Sequence, residues 1–136
     1  MAEPLQSTVV PMLLAALVCD VAVADPSSGK RNLIGIFDNI NAGKLPTTRP
    51  MSVYLKLADA EGLYKIEVRF VKVRDGELLA GAACELQVPS RLQSSDFHLQ
   101  FPPLPFPEAG RYEFQIWCNS MFLGSASLQV VLRSSG

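Results

Sequence analysis

From Met51 onward the chain alternates apolar and polar side chains with a period of two, segment after segment. Met51, Val53, Leu55 and Leu57 share one parity, and Ser52, Tyr54, Lys56 and Ala58 the other. Successive side chains of a strand point to opposite faces, so this pattern suits a half-buried strand and not a helix, whose repeat is about 3.6. After Ala60-Glu61-Gly62, Tyr64, Ile66, Val68 and Phe70 alternate with Lys65, Glu67 and Arg69, and then Val71 and Val73 take the opposite parity. A parity change inside a strand predicts a bulge near Phe70 and Val71. Asp75-Gly76 predicts a tight hairpin, because such a turn needs positive φ angles between twisted strands. The return strand, Glu77 to Val88, is expected to carry Leu78, Ala80, Ala82, Cys84, Leu86 and Val88 on one face.

The same reading covers the rest of the chain. Tyr112, Phe114, Ile116 and Cys118 alternate with Glu113, Gln115, Trp117 and Asn119, a turn falls near Asn119-Ser120, and Met121 to Leu132 returns. Pro89 to Ser95 reads as a loop, Asp96 to Phe101 as a short strand, and Pro102 to Gly110 as an extended proline-rich connection. Upstream, Leu13 to Ala24 and Asn32 to Asp38 read as strands around the polar turn Asp25 to Gly29, and Asn41 to Arg49 reads as a loop. With no amphipathic helical pattern, the expected fold is all-β: an immunoglobulin-like antiparallel β-sandwich of seven to eight strands. It is immunoglobulin-like in architecture only, since the sole Trp sits beside Cys118 and not between paired cysteines. One domain over residues 1–136, with a core of about 12–132, is expected, and a chain of this length buries enough surface to need neither disulfides nor a metal.

With 12 Lys and Arg against 13 Asp and Glu, the net charge is -1. There is no basic field to recruit a phosphate backbone, so nucleic acid is not an expected partner. The apolar stretch Val9 to Ala24 ends in Ala22-Val23-Ala24, imitating a signal-peptidase site, yet Met1 to Thr8 hold Glu3 and no Lys or Arg. The run Met12 to Cys19 is far short of the roughly 20 apolar residues that cross a bilayer. No membrane association is expected, and the expected compartment is the cytoplasm; the alternative is export, with residues 1–24 cleaved. Cys19, Cys84 and Cys118 are odd in number and widely spaced, which fits buried reduced thiols. The open alternative is that Cys84 and Cys118 pair across two sheets.

At Leu17-Val18-Cys19-Asp20, Gly29-Lys30 and Leu33-Ile34-Gly35-Ile36-Phe37-Asp38, continuing through Pro50 to Leu57, the chain resembles the DUF6941-type family of small uncharacterised bacterial proteins. In that family an opening strand with an acidic residue, a Gly-Lys turn, a Leu-x-Gly-x-Phe strand and a Pro-led third strand occur in this order. The resemblance implies a β-sandwich and a bacterial source, and makes the first apolar stretch a strand of the domain. It transfers no site residue.

Chemistry-bearing residues are sparse. His98 is the only imidazole, and Asp96 shares its strand face; a hydrolase using this pair is the third functional reading. Asp38, Asn39 and Asn41 lack the spacing of a calcium loop and read as turn residues, and no metal or cofactor is expected. Lys65, Arg69, Lys72 and Arg74 read as a solvated basic face. Pro102-Pro103-Leu104-Pro105 reads as a connecting loop before a polyproline ligand. Two features point to partner surfaces. Val9 to Ala24 is apolar on both strand faces, with Leu13 and Leu17 on the surplus one, which a second subunit would cover. Trp117 has the outward parity beside Gln115 and, near Met121 and Phe122, forms a candidate anchor. The leading reading is therefore a non-catalytic β-sandwich interaction module, not an enzyme, that self-associates as a homodimer and engages an unidentified protein partner. The alternative is a small-ligand or carbohydrate-binding sandwich using Trp117, Tyr54 and Tyr64.

Overall fold

The alternating segments pair into two stacked sheets. The computed structural model describes residue 7 and residues 9–133; positions 1–6, 8 and 134–136 of the expected 1–136 unit lie outside the described residues. Nine strands follow in order: β1 (Met12–Ala24), β2 (Arg31–Ile36), β3 (Asn39–Ala42), β4 (Thr47–Ala58), β5 (Gly62–Lys72), β6 (Glu77–Val88), β7 (Ser95–Phe106), β8 (Gly110–Cys118) and β9 (Met121–Leu132). One sheet runs β2-β1-β4-β7 and the other β3-β9-β8-β5-β6. The architecture is the expected all-β sandwich, with two corrections of detail. The described residues form nine strands where seven to eight were expected, and one pairing, β3 with β9, is parallel. β3 lies partly inside the predicted loop Asn41 to Arg49; at four residues, with only Ile40 and Ala42 buried, it is too short to show a period.

The second misread segment is the proline-rich one. β7 runs through Pro102, Pro103 and Pro105 to Phe106. Proline has no N–H to give a ladder, and β7 tolerates three of them because it is an edge strand, bonded to β4 alone. Register advances from Phe101 to Leu104 on β7 while β4 steps back only from Met51 to Arg49, so Pro102 and Pro103 sit in a bulge, and Pro105 lies beyond it, opposite Thr48.

The predicted bulge at Phe70 and Val71 is present: Phe70 faces Ala80, Val71 faces Leu78, and Leu79 is the extra residue. It carries a correction. Leu79 packs against the core and Leu78 turns outward, 60% exposed, away from the face expected for it. The hairpin at Asp75-Gly76 also forms, with a longer turn: only Gly76 takes a positive φ (73°), and its N–H donates to the Lys72 carbonyl at 2.9 Å across the loop Val73 to Gly76. Asp75 instead accepts the Glu77 N–H at 3.0 Å and pairs with Lys72 at 3.1 Å. Asn119 (φ 47°) and Ser120 (φ 68°) make the tight β8–β9 turn where it was expected.

Between the sheets, Phe70 is the centre of an aromatic cluster. Its ring lies 4.9 Å from Phe114, 5.5 Å edge-on from Phe106 and 5.6 Å in a stack with Tyr112. The buried Tyr112 hydroxyl donates to the Glu108 carbonyl at 2.6 Å, a counterpart of the tyrosine corner of sandwich domains that ties the β7–β8 connection to β8. All three cysteines are free. Cys84 and Cys118 flank Ile66 from either side in the sheet, so two strand spacings, about 10 Å, separate them, beyond disulfide reach. Burial pushes all three thiols upward, Cys118 to about 11, and keeps them protonated.

Candidate functional site

The sequence pairs Val21 with Ile34 and Ala24 with Arg31, a hairpin closed by the turn in which Asp25 accepts the Ser27 N–H at 2.9 Å. β1 pairs with β4 only from Met12 to Cys19; beyond that, its partner is β2 alone. The free half does not continue in the plane of the sheet. Arg31 Nη1 lies 3.4 Å from His98 Nδ1, Nη2 donates to the Asp96 carbonyl at 3.4 Å, and Nε stands 3.9 Å from the Asp96 carboxylate. Asp96 and His98 belong to β7, at the opposite edge of a sheet whose outer strands are about 14 Å apart. They occupy the outer face, opposite Lys56 and Tyr54. The hairpin therefore folds across that outer face, and β1 itself approaches within 8 Å of β7, Cα to Cα, with β4 between them in the sheet.

Two glycine and carboxylate details allow this fold. Gly35, at φ 70°, sits directly against the Asp20 side chain, in space that a Cβ would occupy. Asp20 is in turn held by Arg49 at 3.0 Å. Beneath the hairpin, Cys19 and Ser52 have no exposed surface although both stand on the outer side of the sheet. Ser52 donates to Gln100 Oε1 at 2.6 Å, which satisfies the one buried polar side chain among the described residues.

The polar cluster under Arg31 brings together Tyr54, Asp96 and His98. Tyr54 donates to Asp96 Oδ2 at 2.8 Å, and burial, with the adjacent carboxylate, pushes its phenol up to about 12. A phenol in that state is a hydrogen-bond donor and a poor nucleophile. The carboxylate of Asp96 and the imidazole of His98 both face the guanidinium, so the pair singled out for hydrolysis is engaged as the anchor of a hairpin. Only the presence of Asp96 and His98 on one face was readable beforehand; Arg31, distant in sequence, was missed because nothing local marks it.

The outward side of the same hairpin is apolar. Val21 and Val23 on β1 and Ile34 and Ile36 on β2 are exposed, Ile34 at 58%, with Val21 and Ile34 directly opposite each other. Leu17, also exposed, joins Ile36 and Phe37 along a cleft of about 340 Å³ that runs to Ala126 and Ser127 on β9. Leu13 is not part of this surface. A register shift between Leu13 and Ala15 turns it inward, where it packs on the core and against Gly124. Leu17 keeps the outward position expected of it.

On the outer face of the second sheet, Trp117 and Phe122 pack at 5.4 Å, with the Arg69 guanidinium 4.5 Å from the indole. Phe122 is exposed; Trp117 is half-buried, and its indole N–H donates to Gln115 at 3.2 Å. Trp117, Tyr54 and Tyr64 do not converge: they lie on the outer faces of different sheets and, for Tyr64, in the core, where its hydroxyl donates to the Val9 carbonyl at 2.9 Å. Lys65 and Arg69 are both paired with Glu67, at 3.7 and 3.1 Å. Asn41 accepts from Arg133 at 2.8 Å, and among the described residues no cluster of metal-ligating side chains occurs. No helix of the described residues is long and apolar enough to cross a membrane.

A family model described as a family of unknown function (DUF6941) matches residues 14–131. No curated protein sequence matches significantly. Among solved structures, the chain is similar to a β-glucosidase from Listeria innocua in complex with isofagomine, at 16% identity and a TM-score of 0.42 over 72% of this chain and 15% of that one. It is similar to a Pseudomonas fluorescens alkylpurine DNA glycosylase bound to DNA containing an abasic-site analogue, at 16% identity and 0.41 over 92% and 31%. It is also similar to a CARDB domain from Pyrococcus furiosus in complex with di-metal ions, at 14% identity and 0.41 over 95% of both chains. The chain thus spans less than a third of the glucosidase and glycosylase chains. These likenesses are loose, and the architecture rests on the strand pairing itself.

Proposed function

The chain belongs to the DUF6941 family, and we propose that it is a non-catalytic β-sandwich that works through protein contacts and self-associates. The observation that carries this reading is the outward side of the β1–β2 hairpin. Four aliphatic side chains, Val21, Val23, Ile34 and Ile36, stand together in solvent on a hairpin whose other side is latched to the sheet. Scattered exposed aliphatics are ordinary, but four on one hairpin, with Val21 directly opposite Ile34, make the kind of surface that a partner covers. A two-fold copy of the same hairpin is the simplest partner, because each row would meet its like. The engagement of Asp96 and His98 by Arg31 supports the non-catalytic part of the reading. Three free, protonated thiols fit a reducing compartment, and we place the protein in the cytoplasm.

Light scattering of the full chain at high micromolar concentration tests the reading. A mass above the 14.8 kDa monomer that falls in the Ile34→Asp variant is expected. A monomeric wild-type protein sinks it.

A further inference from the structure

The hairpin latch closes on an acceptor that can be protonated. A guanidinium carries N–H donors and no acceptor, so the 3.4 Å contact from Arg31 Nη1 requires His98 Nδ1 to accept, which puts the imidazole in its neutral form with its proton on Nε2. Arg31 has little else to hold. Nη2 reaches the Asp96 carbonyl at 3.4 Å, and Nε, out of solvent, makes no hydrogen bond among the described residues, with the Asp96 carboxylate 3.9 Å away.

We propose that His98 is a proton-operated catch: protonation of its imidazole removes the acceptor, sets two cations against each other and lets the β1–β2 hairpin lift from the outer face of the sheet.

The charges around the imidazole decide the sense of the response. On β7 itself Asp96 shares its face; on β4 Tyr54 stands directly opposite it and Lys56 opposite Asp96. β1 brings Leu17, opposite Tyr54, and the protonated thiol of Cys19, opposite Ser52. β6 belongs to the other sheet, across the core on the side of Phe97 and Leu99. β2 brings Arg31. The groups on β7, β4 and this half of β1 stay in the body of the sheet whether the hairpin is down or lifted, so their effect on a charged imidazole is common to both states. Arg31 alone travels with the hairpin, and its effect on a second cation is repulsive. Histidine ordinarily changes charge between about pH 5 and about pH 8, so the latch is whole on the alkaline side of that range and weakened on the acid side. Val21, Val23, Ile34 and Ile36 ride on the same hairpin, so the charge on His98 governs how that row is presented. The catch closes within one chain and does not depend on what covers the row.

Thiol reactivity tests it, at low micromolar protein concentration to keep it apart from self-association. Cys19 has no exposed surface beneath the hairpin, and Cys118 has none in the core. Their reactions with dithiodipyridine, a reagent that works in mild acid, are followed by mass spectrometry of the separate peptides from about pH 8 to about pH 5, each rate divided by that of a free cysteine peptide at the same pH. His98 is the chain's only imidazole, so proton NMR of the same samples reads its charge directly. Expected is a rise of about fivefold in the relative rate of Cys19 as the imidazole becomes charged, with Cys118 unchanged. No such rise is expected in His98→Asn, which keeps a neutral acceptor, or in Arg31→Ala, which removes the travelling cation. A flat wild-type rate overturns the catch, and so does an equal rise in either variant. A rise at Cys118 that matches the rise at Cys19 reports opening of the whole sandwich and overturns it as well.

Discussion

Arg31 and His98 stand on strands at opposite edges of one four-stranded sheet, β2 and β7, yet Nη1 of the first lies 3.4 Å from Nδ1 of the second. That single contact reports the path of the whole hairpin, because no flat arrangement of β2-β1-β4-β7 brings these residues together. It also sorts the hairpin's two sides, the polar latch beneath and the aliphatic row above.

Removing the latch should loosen the hairpin without unfolding the sandwich. In Arg31→Ala, about 1 kcal/mol of partly solvated, charge-assisted contact is lost, so local opening rises about fivefold. Cys19, which has no exposed surface under the hairpin, should then react about fivefold faster with a thiol reagent, read by mass spectrometry of its peptide. Equal rates in the two proteins argue that Arg31 holds nothing in place.

Gly35 should resist replacement. Gly35→Ala places a methyl group against the Asp20 side chain at φ 70°, where a Cβ is strained, and a loss of about 1–2 kcal/mol is expected. Urea unfolding measures it. Gly29, also at positive φ (74°) but with open space around its Cβ position, should lose less on the same substitution, since only the backbone cost applies.

Stability should fall at alkaline pH partly through Tyr54. Its folded-state pKa lies near 12, above the ordinary 10.0, so the folded protein favours the neutral phenol. The stabilisation is therefore complete below pH 10 and is lost as pH climbs from about 10 to about 12. Tyr112 and Lys72 shift in the same direction, which makes the difference between wild type and Tyr54→Phe the quantity to measure. The variant should be about 1 kcal/mol less stable at neutral pH, and the gap should close as the pH approaches 12. A gap that stays constant to pH 12 counts against the assignment.

The aromatic centre should dominate the core. Phe70 is fully buried against Phe106, Tyr112 and Phe114, so Phe70→Ala should cost about 3–5 kcal/mol, a large share of a domain's total stability. Tyr112→Phe keeps the stack and removes only the bond to the Glu108 carbonyl, for about 1 kcal/mol. Chemical denaturation should rank the two in that order.

What could be read in advance tracks how local each signal is. The alternation over Met51 to Leu57, Tyr64 to Phe70 and Tyr112 to Cys118 marks inward residues one by one, and each of those side chains is buried. The parity change at Val71 marked a bulge, but not that Leu79 would be the inserted residue on the facing strand, which moved Leu78 to the outside. A bulge is a relation between two strands, and one strand's pattern shows only half of it. The prolines of β7 were misread for a similar reason: whether proline breaks a strand depends on whether the strand is an edge, and edge position is a property of the sheet.

The same division holds for the candidate surfaces. Surplus apolar character in the first strand was plain in the residues from Val9 to Ala24, and part of it does remain in solvent. Which residues those are was set elsewhere, by the shift at Leu13 and Ala15, which turned Leu13 inward, and by the fold at Asp20 and Gly35, which brought Val21, Val23, Ile34 and Ile36 out. By itself the sequence determined the strand content, most of the turns and the inward side of each long strand, because these depend on neighbours one to four positions away. The tertiary structure alone decided strand order, the crossing of the hairpin, and the meeting of Arg31 with Asp96 and His98. These depend on which backbone groups and side chains find partners far along the chain, and no local pattern encodes a partner's address.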